Sequence, residues 1–148
     1  MSEKYTSLGL MSGTSGDGVD ASIINSDGVN KFETLKDKYF EYDSTIYKDF
    51  HFLKDRIFNF NDLKKLSKEV NELERKITLF HAKIIKELSI NNEKILVGFH
   101  GQTIYHNAME KISRQLGDGK LLYQLTKRKI IYNFREHNPN FCVSINFS

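Results

Sequence analysis

Residues 8–20, Leu-Gly-Leu-Met-Ser-Gly-Thr-Ser-Gly-Asp-Gly-Val-Asp, constrain this chain more than any other stretch. Glycines and small hydroxyl or carboxylate residues sit between two short apolar runs, the pattern of a strand, a tight turn and a second strand. The spacing predicts a β-hairpin with a glycine-rich tip. Glycine at 13, 16 and 18 would let the backbone take φ > 0 and come close to a ligand, so that several N–H groups converge on one anion. The Thr14 and Ser15 hydroxyls add donors. Asp17 and Asp20 would repel a bare polyphosphate unless a cation lay between them, which points to magnesium. On composition alone such a cluster is more often an ordinary turn. The stretch is not a P-loop, since no Gly-Lys-Ser/Thr follows. Nor is it a dinucleotide fingerprint, since the residues after it read as strand rather than helix.

In its order, Met-Ser-Gly-Thr-Ser-x-Asp-Gly-Val-Asp (residues 11–20) resembles the N-terminal phosphate hairpin of the anhydro-N-acetylmuramic acid kinases, members of the actin-like, sugar-kinase and heat-shock-ATPase superfamily. The resemblance implies that Gly13, Thr14, Ser15, Gly16, Asp17, Gly18, Val19 and Asp20 form the ATP-binding loop. Asp17 or Asp20 would then orient Mg2+ through water.

A length of 148 residues with 39% apolar residues suits one globular domain. The net charge of +3 is mild and the charges are interspersed, so neither nucleic acid nor a membrane surface is expected as a partner. Cys142 stands alone and cannot form an internal disulfide, and no signal segment opens the chain, which suggests a reducing cytoplasm. No apolar run approaches the ~20 residues that span a bilayer.

In order, Tyr5 to Met11 reads as a strand, and Val19, Ala21 and Ile23 share one face of the next. Asn25-Ser26-Asp27-Gly28 signals a turn before a third strand, Phe32 to Tyr42. Asp43 or Ser44 is expected to cap a helix through Tyr47, Phe50 and Leu53 to about Phe58. Asn61 or Asp62 is expected to cap one long helix, with Leu63, Leu66, Val70, Leu73, Ile77, Phe80, Ile84 and Leu88 at three- and four-residue spacing. Leu79, Ala82 and Ile85 widen that face, which favours packing on a sheet over a coiled coil. His81 lies off the stripe and His51 has no ligand-spaced partner, so both read as surface or boundary residues.

Ile95 to Phe99 reads as a strand buried on both faces, delivering His100-Gly101-Gln102-Thr103 at its carboxyl end, where ligands gather in open α/β sheets. The same residues would equally suit a polar loop around a satisfied, buried histidine. Gly-x-His-Gly-Gln-Thr-x-x-His, completed by His106, resembles the sugar-site loop of the same family, with Ala108 where proline is common. A strand from Ser113 to Leu116 leads into Gln-Leu-Gly-Asp-Gly, again similar to the family, then a short helix through Leu121, Leu122 and Leu125. A last strand, Ile130 to Tyr132, ends on Asn133-Phe134-Arg135, where the family typically reads Asp-Phe-Arg. A guanidinium at a strand end suits a carboxylate such as a lactyl group, and equally suits a surface ion pair.

The resemblance implies an α/β fold, one lobe of an actin-like, ribonuclease H-like kinase with a mixed sheet of about five strands, an edge hairpin and packed helices. It divides the chain into a kinase lobe, 1–136, and a divergent tail, 137–148, whose Phe141 to Phe147 alternation would either add a strand to a sheet edge or stay frayed. His100, Gln102 and Arg135 would contact anhydro-N-acetylmuramic acid, with ATP and Mg2+ as cofactors. The implied reaction takes 1,6-anhydro-N-acetylmuramate, ATP and water to N-acetylmuramate 6-phosphate and ADP. Family members are longer, and their catalytic aspartate falls in a second lobe outside this sequence. A truncated kinase is therefore one expectation, and a binding domain or inactive remnant that self-associates or lacks its partner lobe is the other.

Overall fold

The computed structural model describes residues 3–134 and the backbone of residues 146–147. Eight strands and four helices follow one another as β1 (Tyr5–Met11), β2 (Gly18–Ser26), β3 (Phe32–Glu41), α1 (Ser44–Lys54), α2 (Phe60–Lys65), α3 (Ser67–Leu88), β4 (Leu96–Phe99), β5 (Gln102–Asn107), β6 (Ile112–Leu116), α4 (Gly119–Thr126), β7 (Lys129–Tyr132) and β8 (Asn146–Phe147). The main sheet runs β3-β2-β1-β4-β7-β8, while β5 and β6 form a separate two-stranded sheet. The first three strands are an antiparallel meander, whereas β4 and β7 lie parallel to β1. The β1–β2 hairpin therefore lies inside the sheet and β3 forms the edge. Residues 146–147 pair antiparallel with β7 at its other side.

Period-two alternation decides which face of this sheet is covered. Leu8 pairs with Ile23 on one side and Val97 on the other, and Val97 pairs with Ile130, so one row of apolar side chains crosses four strands. Ala21, Leu10 and Phe99 form the next row. These rows carry most of the sheet's fully buried residues. On the opposite face the registered row is Ser22, Gly9, Gly98 and Ile131, which is small and half-open. The stretch expected to be buried on both faces is thus buried through Ile95, Val97 and Phe99, while Leu96 and Gly98 are half-buried.

Helix α1 starts where Asp43 accepts a hydrogen bond from Ile46 N (2.9 Å), but it ends at Lys54 rather than near Phe58. Beyond it Arg56 and Ile57 turn back on Leu53 and Lys54, with the Arg56 guanidinium 3.5 Å from the Phe52 ring centre. The long helix expected from residue 61 is two. Asn59, with extended backbone, caps α2 by accepting from Asp62 N, and Asp62 reaches back to Phe58 N. The chain then bends at Leu66 into α3. The stripe of α3 is buried as its spacing predicts, through Val70, Leu73, Ile77, Ile84 and Ile85. His81 corrects the sequence expectation, since it is fully buried with its ring 4.9 Å from that of Phe99. His51 is half-buried, a boundary residue. No helix among the described residues is long and apolar enough to cross a membrane.

Candidate functional site

The tip between β1 and β2 is a β-turn closed by Gly16 N donating to Gly13 O (3.2 Å). Its three glycines differ in kind. Gly16 has φ +69°, and a Cβ there would overlap the Phe50 ring of α1. Gly18 has no positive φ, but a side chain there would strike Tyr39 and the Phe40 carbonyl on β3. Gly13 also has no positive φ, and the nearest atom to a Cβ built on it is Ser15 Oγ at 3.7 Å. The fold thus demands glycine at 16 and 18, whereas at 13 the protein leaves open space above the backbone. The expectation of φ > 0 at all three holds only for Gly16.

Behind the tip lies a buried polar relay. Gln102, fully buried at the start of β5, donates from Nε2 to Gly13 O (2.8 Å) and accepts at Oε1 from the Tyr42 hydroxyl (3.0 Å). With its proton committed to Gln102, the Tyr42 oxygen accepts from Ser12 Oγ (3.2 Å). Burial pushes the Tyr42 hydroxyl up to about 12, so it stays a protonated donor across the ordinary pH range. Removing that hydroxyl by Tyr42→Phe leaves the Gln102 carbonyl buried and short of a partner. The expected outcome is a loss of about 1–2 kcal/mol, read by urea unfolding. A variant as stable as the parent would show that the relay carries no weight.

Thr14 and Ser15 are exposed at the tip, and Asp17 and Asp20 are exposed beyond it. Partial desolvation raises the Tyr39 hydroxyl, helped by the charges of Asp17, Glu41 and Asp20, which places those carboxylates around one side chain. Asp17 also borders a depression of about 450 Å³ with Glu41, Tyr47 and Lys48. Among the described residues no three His, Cys, Asp or Glu side chains cluster as a metal-binding group. Two exposed carboxylates fit magnesium carried mainly by phosphate oxygens and water, not a protein cage. Val19 is fully buried in the core row, so its side chain lies away from the tip surface.

His100 follows β4, half-buried, with Nδ1 3.1 Å from Gly101 O and its ring stacked loosely against Phe134 at 6.5 Å between centres. It borders a cavity of about 210 Å³ with Arg114, Gln115, Tyr132, Asn133 and Phe134. Asn133 adopts φ +62°, a conformation asparagine tolerates better than most residues. Arg114 is held by Glu74 Oε2 (2.7 Å), an α3 carboxylate that also accepts from Gly117 N. Sequence reasoning gave no role to Arg114, Gln115 or Glu74: Gln115 opens the Gln-Leu-Gly-Asp-Gly motif and Arg114 precedes it, whereas Glu74, on α3, carried no local signal. Arg135 and the tail residues 137–145 lie outside the described residues. The structure brings the hairpin and the His100 loop together through Gln102, whose own side chain is enclosed instead of lining the cavity.

A family model described as anhydro-N-acetylmuramic acid kinase matches residues 5–141, past Glu136. A protein of Pelagibacter ubique named anhydro-N-acetylmuramic acid kinase is 60% identical over 141 residues, covering 93% of this chain and 37% of its own. Like-named proteins of Agrobacterium fabrum and Gluconobacter oxydans are 31% and 35% identical, covering 93% and 88% of this chain and 38% and 36% of theirs. The chain therefore spans somewhat over a third of the length of these relatives. With the hairpin, the His100 loop and the Gln-Leu-Gly-Asp-Gly turn all inside the matched span, the chain belongs to the anhydro-N-acetylmuramic acid kinase family.

Proposed function

We propose that this chain is the phosphate- and sugar-binding part of an ATP-dependent anhydro-N-acetylmuramic acid kinase, shaped as one lobe of an actin-like fold. The observation that supports this best is the Gln102 Nε2 bond to Gly13 O, which joins two segments 89 residues apart in sequence. It ties the glycine-rich turn to the start of β5, two residues after His100, which borders the polar cavity, and so supports the pairing a kinase needs between donor phosphate and acceptor sugar. Gly13 to Gly18 hold the phosphates with backbone N–H groups, and Asp17 or Asp20 orients magnesium through water. Magnesium-ATP, when bound, supplies the phosphoryl group that passes to O6 of the sugar as water opens the anhydro ring. His100 contacts the sugar from its cavity, Arg135 is a second sugar contact, and Gln102 holds the tip in place from behind. The role of the chain is positioning and charge neutralisation, the main routes to phosphoryl transfer.

The test uses the one tip glycine that the fold does not require. Gly13→Val should leave thermal stability within about 0.5 kcal/mol of the parent, as for other surface changes. It should weaken Mg-ATP binding by about tenfold or more, because the added methyls fill the space a phosphate needs. Equal affinities by calorimetry or NMR titration would remove the tip as the phosphate site.

A further inference from the structure

Two carbonyl oxygens at the turn, those of Gly13 and Thr14, are each held by donors of the protein. Gly13 O accepts from Gln102 and Gly16, and Thr14 O accepts from Lys54 Nζ at 2.7 Å. Lys54 is the last residue of α1, one turn after Phe50, whose ring underlies Gly16 and lies 5.7 Å from the Lys54 ammonium. Lys54 forms no ion pair among the described residues. A trans peptide directs its N–H opposite to its C=O, and the chain has no cis peptide among the described residues. Fixing Gly13 O and Thr14 O therefore aims Thr14 N–H and Ser15 N–H outward, and neither has a hydrogen-bond partner among the described residues. Two successive outward N–H groups form an anion-binding concavity.

We propose that Lys54 is a positioning residue for this concavity: it holds the Thr14–Ser15 peptide in the orientation that presents Ser15 N–H to a phosphate. The proposal rests on the phosphate reading of the hairpin. Its ligand class is a polyphosphate with a divalent cation, and Lys54 acts on it through the backbone.

The test is an NMR titration of the 148-residue chain with Mg-ATP and with magnesium triphosphate, following the Thr14 and Ser15 amides, alongside thermal melts. In the parent both amides should shift. Lys54→Met should weaken the affinity by about tenfold and abolish the Ser15 shift, with an unchanged melting temperature. Lys54→Arg, which keeps a donor for Thr14 O, should restore both, and the salt dependence of binding should be the same in all three proteins. Unaltered binding in Lys54→Met, while Gly13→Val loses it, would overturn the role of Lys54 and leave the hairpin reading standing. A weaker salt dependence in Lys54→Met would also overturn it, since the ammonium would then be touching phosphate directly. If neither amide shifts in the parent, both the hairpin reading and this proposal fall.

Discussion

Acidification from neutral pH to pH 4 is expected to cost the fold roughly 3 kcal/mol through His81 alone, a large part of the stability of a domain this size. Its Nδ1 lies 2.7 Å from Ile77 O, so the neutral ring donates there, and Nε2 is buried without a partner among the described residues. Burial pushes the imidazole down to about 4 from the usual 6.5, against a smaller opposing pull from the Ile77 carbonyl. In the unfolded chain His81 takes up a proton as pH falls through 6.5, whereas the folded state resists until about 4. The stability it contributes is therefore complete above pH 6.5, declines between 6.5 and 4, and is gone below. Urea unfolding of the parent and of His81→Leu at several pH values isolates this share, because other titrating groups cancel in the difference. The parent should lose stability faster than the variant across that window. Parallel pH profiles would mean that the ring is hydrated or already charged in the folded protein.

Gly16→Ala should destabilise the chain by about 3 kcal/mol, combining a left-handed backbone with an overpacked contact. The φ of +69° penalises any Cβ, and Phe50, fully buried, stands where that Cβ would go. Gly13→Ala, three residues earlier in the same turn, should cost a small fraction of that. Shortening the obstacle in the double variant Gly16→Ala with Phe50→Leu should recover the overpacking part and leave the backbone part, so the two changes should couple favourably. Chemical denaturation of the four proteins decides it. Equal losses at Gly13 and Gly16 would mean that Phe50 does not support the tip.

These two residues also mark where sequence reasoning stopped. The hairpin was legible because alternation and turn chemistry are local: Val19, Ala21 and Ile23 face inward as their period requires, and Asp27 folds its own turn by accepting from Val29, Asn30 and Lys31 N–H. The stripe of α3 was legible for the same reason, since spacing within one helix names its apolar face. The break at Leu66 was not, because Asn61 or Asp62 read as the cap of one long helix, whereas Asn59 caps a short α2 and the chain bends before α3. His81 escaped because one helix names one stripe. It adjoins that stripe on α3 and meets Phe99 from β4, distant in sequence.

At the site, the residue types alone left an ordinary turn open at residues 11–20 and a polar loop open at 98–106, and it was their order, through the family resemblance, that pointed to chemistry there. Their division of labour belongs to the tertiary structure. Three glycines look alike in a sequence, but whether a Cβ has room depends on Phe50, Tyr39 and Phe40 arriving from other elements. Gln102 reads as a ligand contact beside His100, but enclosure by Tyr42 and Gly13 makes it a brace. Lys54 carries no motif at all, and it acquires a role only because α1 ends over the turn. Local periodicity and backbone preference are written into neighbouring residues, whereas burial and hydrogen-bond partnership are set by segments that meet only when the chain folds.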